Sequence, residues 1–249
     1  MFLQHGSSVK TGKKIIDNLI FFPETGMLDC NQYVIRDARS GELSLFDAGN
    51  AISLNALIEG MKRVDLDFQD ITKVFLTHEH VDHVLGLYKL MDLIKSTPPQ
   101  IYAFGECARI LEEGDVSKIF PGDLGISPSM FGIQINSLKI HEMKANEVVK
   151  PTSTFKFQIL PTPGHSLGSI CYYDTEKKVL IPGDLVFTGG SFGRYDFPGG
   201  SLSKLIESIG IVSQLDVKYL LPGHMNISDQ GNSQIQLSYR MIKSIGSYY

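Results

Sequence analysis

The stretch Thr77-His78-Glu79-His80-Val81-Asp82-His83 follows directly on the apolar run Ile71-Thr72-Lys73-Val74-Phe75-Leu76. Three imidazoles and a carboxylate are thereby offered from the end of one strand. If the chain stays extended, His78 and His80 share a side, while Asp82 and His83 leave the turn or helix start in other directions. One segment can then feed two adjacent metal positions. The chain has seven histidines, and two of those outside this cluster close nearly identical stretches, Leu160-Pro161-Thr162-Pro163-Gly164-His165 and Leu220-Leu221-Pro222-Gly223-His224. A third such stretch, Val179-Leu180-Ile181-Pro182-Gly183-Asp184, ends in a carboxylate instead.

Imidazole and carboxylate together suit zinc, and iron or manganese accept the same set, so the residue types leave the metal open. Seven side chains are too many for one tetrahedral ion. They suffice for two divalent ions if Asp184 bridges them, and ions about 3.5–4 Å apart can hold a hydroxide between them and stabilise the oxyanion its attack creates. Metal-assisted hydrolysis is the default expectation.

These motifs, with Gly86 after the cluster, Ser166 after His165, Leu185-Val186-Phe187 after Asp184 and Asp47-Ala48-Gly49 after the run Glu42–Phe46, resemble the metallo-beta-lactamase superfamily and, within it, the glyoxalase II-type hydrolases. The resemblance runs from about Asn31 to His224. It implies a four-layer αββα sandwich with the metal site at one edge of the sheets. His78, His80 and His165 would hold one ion, Asp82, His83 and His224 the other, and Asp184 would bridge. Zinc is the first expectation for both ions, with iron or manganese as alternatives. Asp47 would orient ligands, although Asp-Ala-Gly is also ordinary turn chemistry. The implied reaction is cleavage of a small-molecule thioester, ester or lactone. In glyoxalase II proper a further C-terminal helical domain helps to bind glutathione, whereas the stretch after His224 has room for one helix; a broader thioesterase is therefore expected. Persulfide dioxygenases, which use a single iron, are the alternative in another reaction class. Lactonases and nucleic-acid phosphodiesterases of the same superfamily are further alternatives.

The loop after Asp184 is rich in glycine and reads Gly193-Arg194-Tyr195-Asp196, where glyoxalase II-like and persulfide dioxygenase-like proteins usually have Gly-Arg-Thr-Asp. Arg194 and Asp196 are expected to pair and hold the loop. Tyr195 is a candidate catalytic residue, donating a hydrogen bond to a developing oxyanion as a tyrosine does in the related lactonases. Asp82 is the second candidate, able to accept a proton as well as bind metal, though a carboxylate at a helix start also serves as a cap. Glu79 should face away from its neighbours, and Ser166 reads as a cap. His5 and His141, outside every motif, read as solvated or structural.

Helical spacing is expected at 51–63, 84–94, 106–113, 201–211 and 233–245. Strands are expected at 32–36, 42–46, 71–76, 100–104, 154–160, 168–173, 178–181 and 217–221, with an edge strand over 15–22. Residues 114–146 read as a connector with one or two strands, forming a wall of the pocket. One domain over residues 1–249 accounts for all of this, with a homodimer compatible with it. Twenty-seven acidic against 23 basic residues give a net charge of −4, and no dense Lys/Arg block is present to track a phosphate backbone, so nucleic acid is not an expected partner. Cys30, Cys107 and Cys171 are irregularly spaced, which fits reduced thiols and a cytoplasmic home. Neither a secretion signal nor a membrane span is expected.

Overall fold

Alternation along the strands sorts apolar side chains into three separate layers, and those layers define the architecture. The computed structural model describes residues 9–120 and 125–246; His5 lies outside the described residues. The first sheet is formed by β1 (Lys13–Ile16), β2 (Leu19–Phe22), β3 (Gln32–Arg36), β4 (Leu43–Phe46), β5 (Ile71–Phe75), β6 (Gln100–Phe104) and β7 (Ile140–Met143), hydrogen-bonded in that order. The second runs β12-β11-β10-β9-β8, from β8 (Val148–Val149), β9 (Phe157–Pro161), β10 (Ile170–Asp174), β11 (Val179–Ile181) and β12 (Tyr219–Leu220). Helices α1 (Leu54–Lys62), α2 (Val81–Leu93) and α3 (Gly105–Glu113), followed by the single turn α4 (Val116–Ile119), belong with the first sheet. Helices α5 (Leu202–Val212) and α6 (Gly231–Gly246) cover the second.

In β4, Leu43 and Leu45 face the helices while Phe46 faces the opposite sheet; in β10, Ile170 and Tyr172 face inward while Cys171 and Tyr173 meet α5 and α6. Strands buried on both faces read as continuous apolar runs, as these do. Between the sheets Phe46 meets Phe75 in a stack at 5.2 Å and Tyr172 edge-on at 5.1 Å. The result is an αββα sandwich.

Two tyrosines of the inter-sheet core carry a polar end to the edge where the ligand motifs emerge. Tyr172 donates its hydroxyl to the Leu76 carbonyl (2.6 Å), and Tyr33 donates to that of Pro222 (2.7 Å). Buried tyrosines place the hydroxyl where a partner exists, so packing of the core sets the height of both loops. β4 and β5 are parallel, as are β11 and β12, while β10 runs antiparallel to β9 and β11. The carboxyl ends of β9, β11 and β12 consequently lie at one end of their sheet.

Some boundaries differ from the sequence expectation. The apolar stretch 15–22 is a hairpin, because Asp17 and Asn18, which interrupt it, form the turn between β1 and β2, with Asp17 at φ 48°. Helix α2 begins at Val81, so Asp82 and His83 sit in its first turn. The connector holds α4, a 3-10 turn at Pro128–Phe131 and β7. Among the described residues no helix is long and apolar enough to cross a membrane.

Candidate metal centre

All seven candidate ligands converge. His80 Nδ1 lies 2.8 Å from His165 Nε2, which in turn lies 3.2 Å from His78 Nε2. On the other side, His224 Nε2 stands 3.2 Å from both Asp82 Oδ2 and Asp184 Oδ2, and His83 Nε2 stands 3.3 Å from Asp184 Oδ1. Asp184 Oδ2 is also 3.6 Å from His165 Nε2. Its carboxylate therefore lies between an imidazole trio and an Asp82–His83–His224 trio.

The hydrogen bonds behind the imidazoles fix which nitrogen is bare. Asp47 Oδ2 accepts from the Thr77 hydroxyl (2.8 Å) and from His83 Nδ1–H (2.9 Å), while Asp47 Oδ1 accepts the Thr77 backbone N–H (2.8 Å). With its proton given to Asp47, Thr77 Oγ1 accepts from His78 Nδ1–H at 3.0 Å. His165 Nδ1–H donates to the Arg194 carbonyl (2.7 Å), and His224 Nδ1–H donates to Glu24 Oε2 (2.7 Å). Four histidines thus have Nδ1 engaged from behind and turn Nε2 inward as the nitrogen available to an ion.

Ligand atoms crowded together in a buried space suit a cation. His83 Nε2 and Asp184 Oδ1 are buried and lack any hydrogen-bond partner, which is costly unless something satisfies them. Metal–nitrogen bonds of about 2.0–2.1 Å in a tetrahedron set donor atoms about 3.3 Å apart. The spacings of 3.2–3.3 Å between His165 and His78, His83 and Asp184, and His224 and the two carboxylates match. The donor set fits two divalent ions.

Burial keeps His78 well below the usual imidazole range, brings His80 down to about 3 and lowers His165, so these lone pairs are free at neutral pH. The second trio behaves oppositely. Burial pulls on His83 and His224 too, but for His83 the charges around it, and for His224 Asp184 with hydrogen bonds to Asp184, Asp82 and Glu24, outweigh burial and raise both. Of the groups acting on His83, Asp184 and Asp82 are themselves lowered, whereas burial pushes the neighbouring Cys30 thiol up to about 11. Asp184 is lowered well below the carboxylate range: burial opposes this, and the His224 and His83 charges prevail.

Sharp backbone supports the geometry at two points. Asp47 holds φ 54°, a left-handed conformation rare for a residue with a side chain. Gly223 leaves room for the centre, because a methyl group there would overlap Asp184 Oδ1 and stand 2.9 Å from His83 Cε1.

Around the ligands lies a cavity of about 240 Å³, lined by Leu28, Val81, Phe187, Phe192, Arg194 and Phe197 besides His80, Asp82, His165, Asp184 and His224. Arg194 pairs with Asp196 through Nε (2.9 Å) and Nη2 (2.7 Å). The ring of Tyr195 packs with the apolar cluster around Leu185, Leu205 and Ile209, outside the cavity lining. Glu79 turns away from the trios into a separate recess with Glu106 and Leu167. Among its described residues the connector supplies none to the cavity, although Ser117 and Lys118 border that recess. His141 stacks on Tyr102 at 5.1 Å, a structural contact. Glu24 was not foreseen: a single carboxylate in the β2–β3 loop carries no spacing signal.

Residues 25–224 match the family model of the metallo-beta-lactamase superfamily. A probable metallo-hydrolase of Methanocaldococcus jannaschii is 29% identical over 190 residues, 75% of this chain and 84% of that protein. A hydroxyacylglutathione hydrolase, GloC, of Haemophilus influenzae is 33% identical over 156 residues, 61% of this chain and 66% of that one. The crystal structure of TTHA1623 in a di-iron-bound form superposes with a TM-score of 0.62 at 26% identity, covering 84% of this chain and 94% of the other. Taken with a donor set that accommodates two divalent ions, the match over most of its length makes this chain a member of the metallo-beta-lactamase superfamily and a metal-dependent hydrolase.

Proposed function

We propose that the protein hydrolyses a small-molecule thioester, or a related ester or lactone, at a dinuclear centre held by His78, His80 and His165 on one side and Asp82, His83 and His224 on the other, with Asp184 between them. The observation that carries this reading is the second trio, complete and sharing Asp184 with the first. A single-iron oxygenase would have no use for it. When bound, divalent ions supply Lewis acidity toward a carbonyl oxygen and activation of water at neutral pH.

The residues of the chain do the rest. Asp82 borders the cavity, and its pKa is lowered: burial opposes this, but the charge of His83 and a hydrogen bond from His224 outweigh burial. As a carboxylate it takes the proton that attacking water gives up. Asp47, Thr77, Glu24 and the Arg194 carbonyl hold the imidazoles in orientation, so little reorganisation accompanies the reaction. Phe187, Phe192 and Phe197 keep bulk water from the carbonyl. Tyr195, packed beside Leu205, takes no part in this reading.

Several features support a small substrate over nucleic acid. Arg194 is the sole lysine or arginine lining the cavity among the described residues, and Asp196 neutralises it. The relation to GloC supports a thioester. Zinc is the proposed resident ion, with iron close behind on the di-iron form of TTHA1623. We place the reaction in the cytoplasm on the strength of three buried, unpaired cysteines.

The test is metal analysis of purified protein alongside turnover of a thioester, a lactone and glutathione persulfide. Two ions per chain with thioester hydrolysis is the expected result. One iron per chain, oxygen uptake with persulfide and no hydrolysis would overturn it.

A further inference from the structure

The walls around the metal centre restrict what can approach it. Phe197 meets the His80 ring edge-on at 5.9 Å, and Phe187 meets the His224 ring edge-on at 5.7 Å. Each trio of candidate ligands therefore has an aromatic side chain packed directly on it, one on either flank of Asp184. Phe192, Val81 and Leu28 complete the lining.

The charged rim group offers no free charge. The Arg194 guanidinium is engaged by Asp196 through two nitrogens and lies over the Phe197 ring at 4.2 Å, so it adds a flat face to the aromatic wall. Leu28 is held there against backbone preference, at φ 55°, by Asn50 Nδ2 donating to its carbonyl at 2.5 Å. A bulky side chain in that region is an outlier that persists where the surroundings over-determine it, often at a ligand clamp. At about 240 Å³ the cavity is also smaller than the roughly 300–1,000 Å³ of pockets for drug-sized ligands.

Resting on the hydrolase reading above, we infer that the substrate is compact and apolar on both sides of its scissile carbonyl: a thioester or ester of a short aliphatic or arylacetic acid, with no charged group on the acyl chain. An acyl group bearing a carboxylate would have to strip its charge of water against Phe187 or Phe197, while the Arg194 guanidinium at the rim is already paired with Asp196. A glutathione conjugate would have to leave its charged ends outside the same walls.

The experiment compares N-acetylcysteamine thioesters of acetic, butanoic, phenylacetic and succinic acids, together with S-lactoylglutathione, on the metal-loaded enzyme. Butanoyl should exceed acetyl in kcat/KM by about tenfold, from two buried methylenes, and should exceed succinyl by at least as much. Non-hydrolysable thioether analogues, titrated calorimetrically into the protein with and without metal, should bind in the same order. Leu28→Asn keeps the left-handed backbone accessible while making one wall polar. It should cut the butanoyl-to-succinyl ratio by about tenfold with metal content unchanged. Succinyl or lactoylglutathione turned over faster than butanoyl, or a carboxylated thioether bound more tightly than its alkyl counterpart, overturns the inference. Turnover of none of the thioesters, with alkyl thioethers still preferred, removes the thioesterase reading and leaves the apolar pocket standing.

Discussion

Replacing Asp47 with asparagine tests the wiring of the whole centre with one atom. The Oδ1 position must remain an oxygen, since it accepts the Thr77 backbone N–H at 2.8 Å. The new NH2 group therefore takes the place of Oδ2 and faces Thr77 Oγ1 and His83 Nδ1, both of which donate to Oδ2 in the parent protein. His83 must turn its proton onto Nε2, toward Asp184, and that nitrogen ceases to be a ligand. Thr77, forced to accept from the amide, gives its own proton to His78 Nδ1, which moves the His78 proton to Nε2 as well. One substitution thus blocks a donor in each trio. Loss of such a supporting partner costs about 10–100-fold in metal affinity, or about 1.4–2.8 kcal/mol per ion, and here the loss falls on both ions. The fold should be unaffected, because asparagine enters the left-handed region more readily than most residues and Asp47 already holds φ 54°. Zinc binding of Asp47→Asn, measured against a competing chelator, should weaken at both sites while the melting temperature of the ion-free protein stays within about 2 °C of its parent. Both ions held at undiminished affinity would refute the hydrogen-bond directions assigned here. Loss of the His83-side ion alone would refute the relay through Thr77.

Three further outcomes follow from the same geometry. Gly223→Ala drives a methyl group into Asp184 Oδ1, and a displacement on the order of 1 Å lowers kcat by about 100-fold; near-normal kcat would show that Asp184 is not where the reaction needs it. Chelation should abolish turnover and, since ions that bind the native state alone contribute about 4 kcal/mol at a thousandfold excess over Kd, should lower the melting temperature by about 10 °C; calorimetric scans with and without chelator measure this. Finally, His83 and His224 are raised and keep protons in the ion-free protein, whereas burial has already emptied His78 and His80. Metal uptake on the Asp82–His83–His224 side must expel those protons, so its affinity climbs as pH rises through the neutral range, more steeply than on the imidazole side. Titration calorimetry in two buffers of different ionisation enthalpy counts the protons, and equal release from the two sides would contradict this account.

The candidate ligands were legible in the sequence because five of them follow a strand through a Pro-Gly or Thr-His turn and Asp82 and His83 open the helix after β5, local patterns that name both the residue and its place. Their supports were legible only in part. Thr77 and Asp47 lie within motifs, but Glu24 reaches His224 through tertiary contacts alone. Its loop is fixed by the buried Lys10–Asp29 pair (2.9 Å) and by Asn31, whose side chain holds the Pro222 and Met225 carbonyls. A buried lysine leaves no trace in periodicity. Tyr195 shows the reverse difficulty. It neighbours a residue that touches the site, yet Arg194 contributes its carbonyl there, and the next side chain is thereby turned toward Leu205. The described residues of the connector before β7 lie beside α3, where Ser117 and Lys118 border the Glu79 recess.

Chemistry and selectivity draw on different parts of this molecule. The donors come from the ends of β5, β9, β11 and β12 on two sheets, and each trio joins residues beyond β5 to a histidine from the second sheet, so the closure of both trios depends on how Phe46, Phe75 and Tyr172 space those sheets. A core substitution there, such as Tyr172→Phe, would release the Leu76 carbonyl and shift His78, His80, Asp82 and His83 together against His165 and His224, with no contact to substrate. The walls, in contrast, come from the loops that carry Leu28 and Phe187 to Phe197, which hydrogen-bond the ligands through other groups than the wall side chains, the Glu24 carboxylate and the Arg194 carbonyl. Loops on a rigid scaffold can change side chains at little structural cost. Substrate preference can therefore shift through Leu28, Phe192 or Phe197 while the reaction type, fixed by the sheets, stays the same.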